Sequence, residues 1–194
     1  MNSCCKPQKR DKIQYYGQQI HEITEMLVGD MGQYAHGNQP VQHAIYLYNW
    51  LGKPWKTQKR VREVMDKLYS SAPDGLCGDG DNGQTSAWYV FSAIGFYPVT
   101  PGTGQYAIGS PLFKNVKLHL QNGNTFEMNV PNNSKENVYI HKIIKNKSTH
   151  TKNYITFKDL MDGASFSLEM SNQPNTKLRT RKESRPYSMS QENK

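Results

Sequence analysis

The hydrophobic period of this chain changes near Pro101, and that change constrains the fold more than any other feature. Before Pro101, apolar residues recur at helical spacing, most clearly over residues 61–68. After it, segments such as Val116–Leu120 alternate with period two, which indicates strands with one buried face. Asn122-Gly123 follows that segment and is typical of a hairpin turn. The pattern predicts an α+β chain, with helices first and a small antiparallel β module after them.

Four helices are predicted before this change of period, over about residues 14–28, 40–52, 57–68 and 85–94. Pro40 suits the first turn of the second helix, because the N–H that it lacks would be unpaired there. Gly52 ends that helix, and Thr57 suits the N-cap of the third. Consecutive helical hairpins indicate a helical toroid or bundle, which four helices alone do not close.

Both ends of the chain are polar and basic. Of the net charge of +8, residues 1–12 carry +3 and residues 171–194 carry +4. The part between them is nearly neutral, which argues against a broad nucleic-acid-binding face. No run of about 18 apolar residues exists, so no membrane span is predicted. The predicted organisation is a disordered arm (1–12), a helical part (13–100), a β-rich module (101–172) and a disordered basic tail (173–194).

Two polar loops, each followed by a predicted helix, carry the candidate chemistry. One helical hairpin separates loop 34–43 from loop 74–88, so both are expected at the same end of the helical array. Asp79 and Asp81 lie in the second, Gly-rich loop, and hydrolysis of a glycosidic bond uses two carboxyl groups. The first loop offers amides and imidazoles, which suit sugar hydroxyls or a hard cation. These side chains are His36, Asn38, Gln39, Gln42 and His43.

Each candidate also has a purely structural interpretation. An Asp-x-Asp pair in a Gly-rich loop is more often a solvated turn than a site. A calcium-binding EF-hand loop starting at Asp79 is excluded, because Gln84 stands where Gly is required and Val90 where the bidentate Glu belongs. His43 on a helix face is more often a core histidine than a ligand. From the residues alone, a glycan-binding role and a hydrolytic role both stay open.

The two loops and several segments around them resemble glycoside hydrolase family 92. Residues 29–40, GDMGQYAHGNQP, are similar to the family segment that reads H-G-N-E-P or H-G-N-Q-P. Residues 76–90, LCGDGDNGQTSAWYV, are similar to its acidic loop. The resemblance runs from about residue 20 to residue 175. It also includes segments 46–55, 93–102, 108–113 and 131–134.

The resemblance implies a concrete function. Members of the family are calcium-dependent exo-α-mannosidases that release mannose with inversion, so a mannose-containing glycan and Ca²⁺ are the expected partner and cofactor. They combine an N-terminal β-sandwich with an (α/α)6 barrel, of which residues 13–100 would supply four helices. Asp81 matches the general base, with Asp79 beside it. The other implied site residues are His36, Gln39, His43 and Gln84 for substrate, and Asn38 and Gln42 for the metal.

The resemblance also implies that part of the enzyme is missing. The general acid of the family belongs upstream of the first loop, in a barrel segment that residues 1–12 do not resemble. We therefore expect the C-terminal portion of a periplasmic or secreted enzyme, inactive without the N-terminal part of that enzyme. Two alternatives stay open. One is a non-catalytic glycan-binding or interaction module carried by residues 116–170, and the other is a truncated remnant without function.

Overall fold

The computed structural model describes residues 21–78 and 80–192. Within these ranges the α-helices are α1 (His21–Gly29), α2 (Pro54–Leu68), α3 (Gln84–Ile94) and α4 (Phe157–Met161). The strands are β1 (Phe96–Tyr97), β2 (Gln105–Ile108), β3 (Asn115–His119), β4 (Thr125–Asn129), β5 (Tyr139–Lys145), β6 (Ser148–Thr149), β7 (Tyr154–Thr156) and β8 (Ser165–Ser171). No helix among the described residues combines the length and apolar character needed to cross a membrane.

The described chain separates into two compact units. The first unit contains residues 21–44 and 63–90, and the second contains residues 45–62 and 91–192. α2 and α3 each contribute residues to both units. The first unit carries the two polar loops, and the second carries all eight strands.

In the first unit, the ends of α1 and α2 are joined by polar contacts. Lys67, in the last turn of α2, donates from Nζ to the carbonyl of Gly29 at 2.7 Å. This bond satisfies a carbonyl at the C-terminus of α1 that has no partner within the helix. Lys67 also pairs with Glu63 one turn earlier, at 3.1 Å. Along its length α2 buries Val61, Val64 and Met65, the face that its helical spacing predicts.

The helix predicted over residues 40–52 is not an α-helix. The structure forms two 3-10 turns there, Gln39–Val41 and Ala44–Asn49. The hydroxyl of Thr57 donates to the carbonyl of Ile45 at 3.0 Å and lies 3.4 Å from that of Tyr46, so this segment is bonded to α2. Thr57 is not the N-cap of the third helix, because α2 begins three residues earlier, with Pro54 in its first turn.

In the second unit the strands form two sheets. A three-stranded antiparallel sheet has the order β1-β2-β7, and a five-stranded sheet has the order β3-β4-β8-β5-β6. The predicted all-antiparallel module is wrong at one pair, because β4 and β8 run parallel, with Met128 opposite Phe166. A parallel pair needs a crossover of a dozen or more residues, and residues 130–164 supply it. The fold is therefore mixed α+β with mixed strand directions.

The apolar core of the second unit lies on the larger sheet. β8 alternates regularly, burying Phe166, Leu168 and Met170, and β4 contributes Phe126 and Met128. Every second residue of β8 thus faces the core, as period-two alternation predicts.

The short helix α4 was not predicted from the sequence. It starts with a reciprocal capping box between Thr156 and Asp159.

The tail at residues 173–192 packs on the second unit, so the structure does not support the disorder predicted for it. Trp50 donates from Nε1 to the carbonyl of Tyr187 at 2.7 Å, and the N–H of Tyr187 donates to Oε1 of Gln105 at 2.8 Å. Arg179 is buried. Tertiary contacts order a segment whose composition alone indicates disorder. The predicted disordered arm, residues 1–12, lies outside the described residues, as do residues 13–20 of the helical part.

Candidate functional site

The two polar loops of the first unit meet at a pair of glycines. A Cβ atom built on Gly78 would lie 2.6 Å from the carbonyl oxygen of Gly37 and 2.7 Å from its Cα. Gly78 also has a φ of +68°, a conformation that favours glycine. The backbones of the two loops are therefore in direct contact, which agrees with the expectation that they lie together.

Glu25 of α1 is hydrogen-bonded to the first loop. Its buried carboxylate accepts the N–H of Gly37 at 2.6 Å. A Cβ at Gly37 would lie 2.2 Å from Oε1 of Glu25, so a side chain there would displace the carboxylate. The sequence analysis missed Glu25, since no motif marks it and its position is off the apolar stripe of the predicted helix.

His36 lies at the centre of the first loop and is fully buried. Its Nδ1 is 2.7 Å from the hydroxyl of Tyr34, and its Nε2 is 2.8 Å from the hydroxyl of Tyr69. The hydroxyl of Tyr69 is also 3.4 Å from the carbonyl of Thr85. A neutral imidazole has one N–H donor and one acceptor nitrogen, and the two tyrosine hydroxyls satisfy both in either tautomer.

The imidazole of His36 is neutral. Burial lowers the pKa of His36 to about 3, because the charged form would lose its hydration. The ring also meets that of Trp88 edge-on, with the centroids 4.2 Å apart. Because the ring is fully buried and both nitrogens contact tyrosine hydroxyls, His36 positions the loop in this structure. Its predicted contact with substrate stays a prediction.

Gln42 joins the first loop to the start of α3. Its Nε2 donates to the carbonyl of His36 and to the hydroxyl of Thr85, both at 3.3 Å. Its Oε1 accepts from Nε2 of Gln84 at 3.4 Å, and its backbone carbonyl accepts from Nε1 of Trp88 at 3.2 Å. Together with the bonds of His36, these contacts form a buried polar network. Gln84, predicted as a substrate contact, takes part in this network.

The two residues predicted as metal ligands differ in exposure. Gln42 is 1% exposed and its amide is hydrogen-bonded on both sides, whereas Asn38 is exposed. Over residues 21–78 and 80–192, no group of three or more His, Cys, Asp or Glu side chains is placed to hold a metal ion. Calcium prefers six to eight oxygen ligands, so a site on these two amides would need further oxygen ligands, and the metal assignment stays a prediction.

Asp81 stands on a strained turn at the start of α3. The four residues from Gly80 to Gly83 all have positive φ, with values of 73°, 31°, 56° and 85°. Two of them, Asp81 and Asn82, are not glycine, and such strained non-glycine residues cluster at functional sites. The side chain of Asp81 is exposed. Asp79, predicted as its partner, lies outside the described residues.

The remaining predicted residues differ in exposure. His43 is exposed, and Gln39 is partly buried, with no hydrogen-bond partner for its Nε2 among the described residues. Cys77, in the acidic loop, is buried, and burial raises its pKa to about 11, so it stays a thiol. The first unit therefore exposes Asp81, Asn38 and His43 on its two loops, which the buried network joins.

Comparison with known proteins gives relatives that are longer than this chain. An uncharacterized secreted glycosidase of Arthroderma benhamiae is 31% identical over 137 residues, which cover 69% of this chain and 18% of the relative. A family GH92 α-mannosidase of Bacteroides thetaiotaomicron, solved with mannoimidazole, is 42% identical, with a TM-score of 0.80. That match covers 83% of this chain and 21% of the relative.

A second solved structure is the family GH92 inverting mannosidase of Bacteroides thetaiotaomicron VPI-5482. It is 56% identical, with a TM-score of 0.80, over 90% of this chain and 24% of the relative. The chain thus spans about a fifth of the length of these proteins. The model of the glycosyl hydrolase family 92 catalytic domain matches residues 3–172. With most of its length inside that match, the chain belongs to glycosyl hydrolase family 92.

Proposed function

We propose that this chain is part of an exo-α-mannosidase that removes terminal mannose from mannose-containing glycans with inversion, and that Asp81 is its general base. The observation that carries the proposal is the exposed Asp81 on a strained turn, fixed by a buried polar network. One solved relative, 42% identical, is described as an α-mannosidase, and another, 56% identical, as an inverting mannosidase. These likenesses support the substrate class and the stereochemistry.

In an inverting reaction the base removes a proton from the water that attacks the sugar. A second carboxyl group, about 6.5–9.5 Å away, protonates the leaving oxygen. In this proposal Asp81 takes the first role, with Asp79 beside it, and a residue outside these 194 takes the second. The chain spans 21% and 24% of the two solved mannosidases. We therefore propose that the chain alone releases no mannose.

The remaining assignments follow from family membership. We propose that α1, α2, α3 and the 3-10 turns between them form part of an (α/α)6 barrel in the whole enzyme. We propose a secreted or periplasmic location, which the secreted fungal relative supports. Among the predicted substrate contacts, His43 and Gln39 remain candidates for binding sugar hydroxyls, and Gln84 remains one through its half-exposed side chain.

A calcium requirement of the whole enzyme is a separate proposal. Its ligands are not Gln42 and Asn38 alone, given the burial and hydrogen bonding of Gln42. Removing divalent cations with a chelator should abolish mannose release, and adding Ca²⁺ should restore it. Full activity after dialysis against the chelator would contradict the requirement.

The central experiment replaces Asp81 in the whole enzyme that contains this segment. Asp81→Asn keeps the size of the side chain and removes its basicity, so kcat on an aryl α-mannoside should fall by about 10²–10⁴-fold. Asp74→Asn is the matched control, because Asp74 is an exposed carboxylate in the same loop. Its kcat should stay near that of the wild type.

Stereochemistry gives a second test. Proton NMR of the first product formed should show the β anomer of mannose if the reaction inverts. Near-normal kcat in Asp81→Asn would remove the base assignment while leaving the substrate class intact. A first product with the α anomer would contradict inversion.

A further inference from the structure

The dipeptide Asn-Gly occurs twice in this chain, and the two copies are alike in most respects. Both asparagines, Asn82 and Asn122, are exposed. The glycine after each, Gly83 or Gly123, has a φ of +85° and open space around it. The N–H of each glycine donates to the carbonyl three residues earlier, at 2.8 Å for Gly83 and 3.0 Å for Gly123. Exposure and the glycine conformation therefore do not distinguish the two copies.

The side chains of the two asparagines differ in how they are held. Nδ2 of Asn122 donates to the carbonyl of Met161 at 2.8 Å, and its Oδ1 accepts the N–H of Asn124 at 3.0 Å. No other described residue is hydrogen-bonded to the side chain of Asn82. The carboxamide of Asn82 is thus free to turn toward the next backbone nitrogen, whereas that of Asn122 must first break two hydrogen bonds.

The backbone adds to this difference. Asn82 has a φ of +56° and a ψ of 27°, inside the run of positive φ from Gly80 to Gly83. Asn122 has no positive φ and lies in the hairpin between the paired strands β3 and β4. A strained turn outside a sheet opens more readily than a hairpin that two paired strands hold together. Opening of the turn breaks the hydrogen bond of Gly83 and frees its nitrogen.

We propose that Asn82 is a site of spontaneous deamidation. The nitrogen of Gly83 forms a bond to Cγ of Asn82 and loses its proton, while the Cγ–Nδ2 bond breaks and ammonia leaves. The product is a cyclic imide. Water then adds to one of the two imide carbonyls and opens the ring, which gives aspartate or isoaspartate at position 82. Glycine suits the attacking position because it has no side chain that crowds the nitrogen.

The modification falls next to the residue proposed as general base. The aspartate product puts a second carboxylate beside Asp81, and the isoaspartate product inserts a methylene group into the backbone of the turn. Either product alters the surroundings of Asp81, so the whole enzyme should lose activity as Asn82 deamidates. This consequence rests on the proposed function, whereas the deamidation itself does not.

The competing explanation is that the sequence around each asparagine sets its rate. Asp81 precedes Asn82, whereas Gln121 precedes Asn122. Unfolding the chain removes the turn strain and the side-chain hydrogen bonds and leaves these neighbours in place. The ratio of the two rates in the unfolded chain therefore measures the effect of sequence, and any change of that ratio on folding measures the effect of structure.

The experiment incubates the 194-residue chain at neutral pH in buffer and, separately, in concentrated guanidinium chloride. Mass spectrometry of proteolytic peptides follows the loss of the amide at both positions, and fragment spectra distinguish aspartate from isoaspartate. The rate at Asn82 divided by the rate at Asn122 should be about tenfold or more higher in buffer, because two hydrogen bonds protect only Asn122. A ratio in buffer equal to or below the ratio in denaturant would overturn the proposal.

Variants at position 82 and the whole enzyme complete the test. Asn82→Gln should stop the reaction at this position, because glutamine would have to close a larger ring, and should leave the rate at Asn122 unchanged. If the isolated chain does not fold, the whole enzyme that contains this segment provides the same comparison of rates.

The kcat of the whole enzyme separates this proposal from the proposed function. Its kcat should fall in step with the loss of the Asn82 amide. Asn82→Asp, which makes one product directly, should begin with the lowered kcat. Deamidation at Asn82 without loss of kcat would count against Asp81 as the base and would leave the deamidation site standing.

Discussion

The two units of this protein differ in the extent of their apolar cores, although both bury polar side chains. The first unit buries few apolar residues beside a polar network that includes Glu25, His36 and Gln42. The second unit buries a broad apolar cluster around Phe126 and Phe166. An apolar core tolerates small shifts, whereas a buried polar network has one arrangement that satisfies all its members. Hydrogen bonds therefore specify a larger share of the buried geometry in the unit that carries the candidate base.

Among the described residues the longest run of positive φ lies in the first unit, although Asn146, Lys147 and Arg179 of the second unit also have positive φ. In β8 of the second unit every second residue faces the core, and the strand needs no unusual dihedral angle. In the first unit four consecutive residues, Gly80 to Gly83, have positive φ. Strain of that kind persists only where the surroundings determine the conformation. Variants in the apolar core of the second unit and in the polar network of the first unit test this contrast.

The largest loss of stability should come from the apolar core of the second unit. Phe126 is fully buried and contacts Phe96 edge-on and Phe166 at 5.7 Å between centroids. Phe126→Ala leaves a cavity, so the free energy of unfolding should fall by about 3–5 kcal/mol. Urea denaturation followed by circular dichroism measures this loss.

The matched control is Phe113→Ala, since Phe113 is 51% exposed. Its free energy of unfolding should change by less than about 1 kcal/mol. Equal losses for the two variants would mean that the apolar cluster does not stabilise the second unit as described.

The polar network of the first unit should make stability depend on pH. The pKa of His36 is about 3 in the folded protein, against an ordinary value of 6.5. As the pH falls below 6.5, His36 binds a proton in the unfolded chain but not in the folded protein. The contribution of His36 is therefore complete above pH 6.5 and is lost progressively toward pH 3. Between pH 6.5 and about pH 4.5 the free energy of unfolding should fall by about 3 kcal/mol.

Denaturation curves at several pH values measure this slope, and two variants isolate it. His36→Gln should be less stable at neutral pH but should have a flatter slope, because the titrating group is gone. His43→Gln, at an exposed histidine of the same loop, should keep the wild-type slope. His150 titrates in the same direction, since its pKa is also lowered, and it contributes equally to all three proteins. An unchanged slope in His36→Gln would contradict the buried, neutral imidazole.

Much of the fold was predictable from local patterns. The change of period near Pro101 was placed within a few residues, because α3 ends at Ile94 and β1 follows at Phe96. Three other features depend on distant residues that no local pattern reveals. The 3-10 turn at Ala44–Asn49 bonds to Thr57, β4 pairs in parallel with β8, and the tail bonds to Trp50 and Gln105.

The candidate site was predictable at its glycines and less so at its polar residues. Gly-rich loops indicated where the two segments approach each other, and Gly37 and Gly78 are in direct contact. The sequence did not distinguish an exposed polar residue from a buried one. The burial of His36 was not apparent from its loop, and Glu25, which bonds to that loop, carried no local signal. Burial is decided by tertiary packing, which a single sequence does not display.

The smallest expected loss of stability concerns the contact between Gly37 and Gly78. Two variants separate left-handed strain from close backbone approach as the reason for glycine at position 78. Gly78 and Gly80 have nearly equal φ, +68° and +73°, so alanine is strained to the same extent at both. A Cβ on Gly80 meets nothing within 4 Å, whereas a Cβ on Gly78 meets the backbone of Gly37. Gly78→Ala should therefore cost about 1–2 kcal/mol more than Gly80→Ala, the part due to overpacking alone.

Hydrogen exchange locates that difference. The N–H of Gly37, which donates to Glu25, should lose protection in Gly78→Ala and keep it in Gly80→Ala, because only the first variant pushes the loops apart. Equal stability losses and equal protection would mean that left-handed strain, and not close approach, is the reason for glycine at position 78. In that case the close approach of Gly37 and Gly78 would not stabilise the loops. The hydrogen bonds of His36 and Gln42 would then be what positions the turn that carries Asp81.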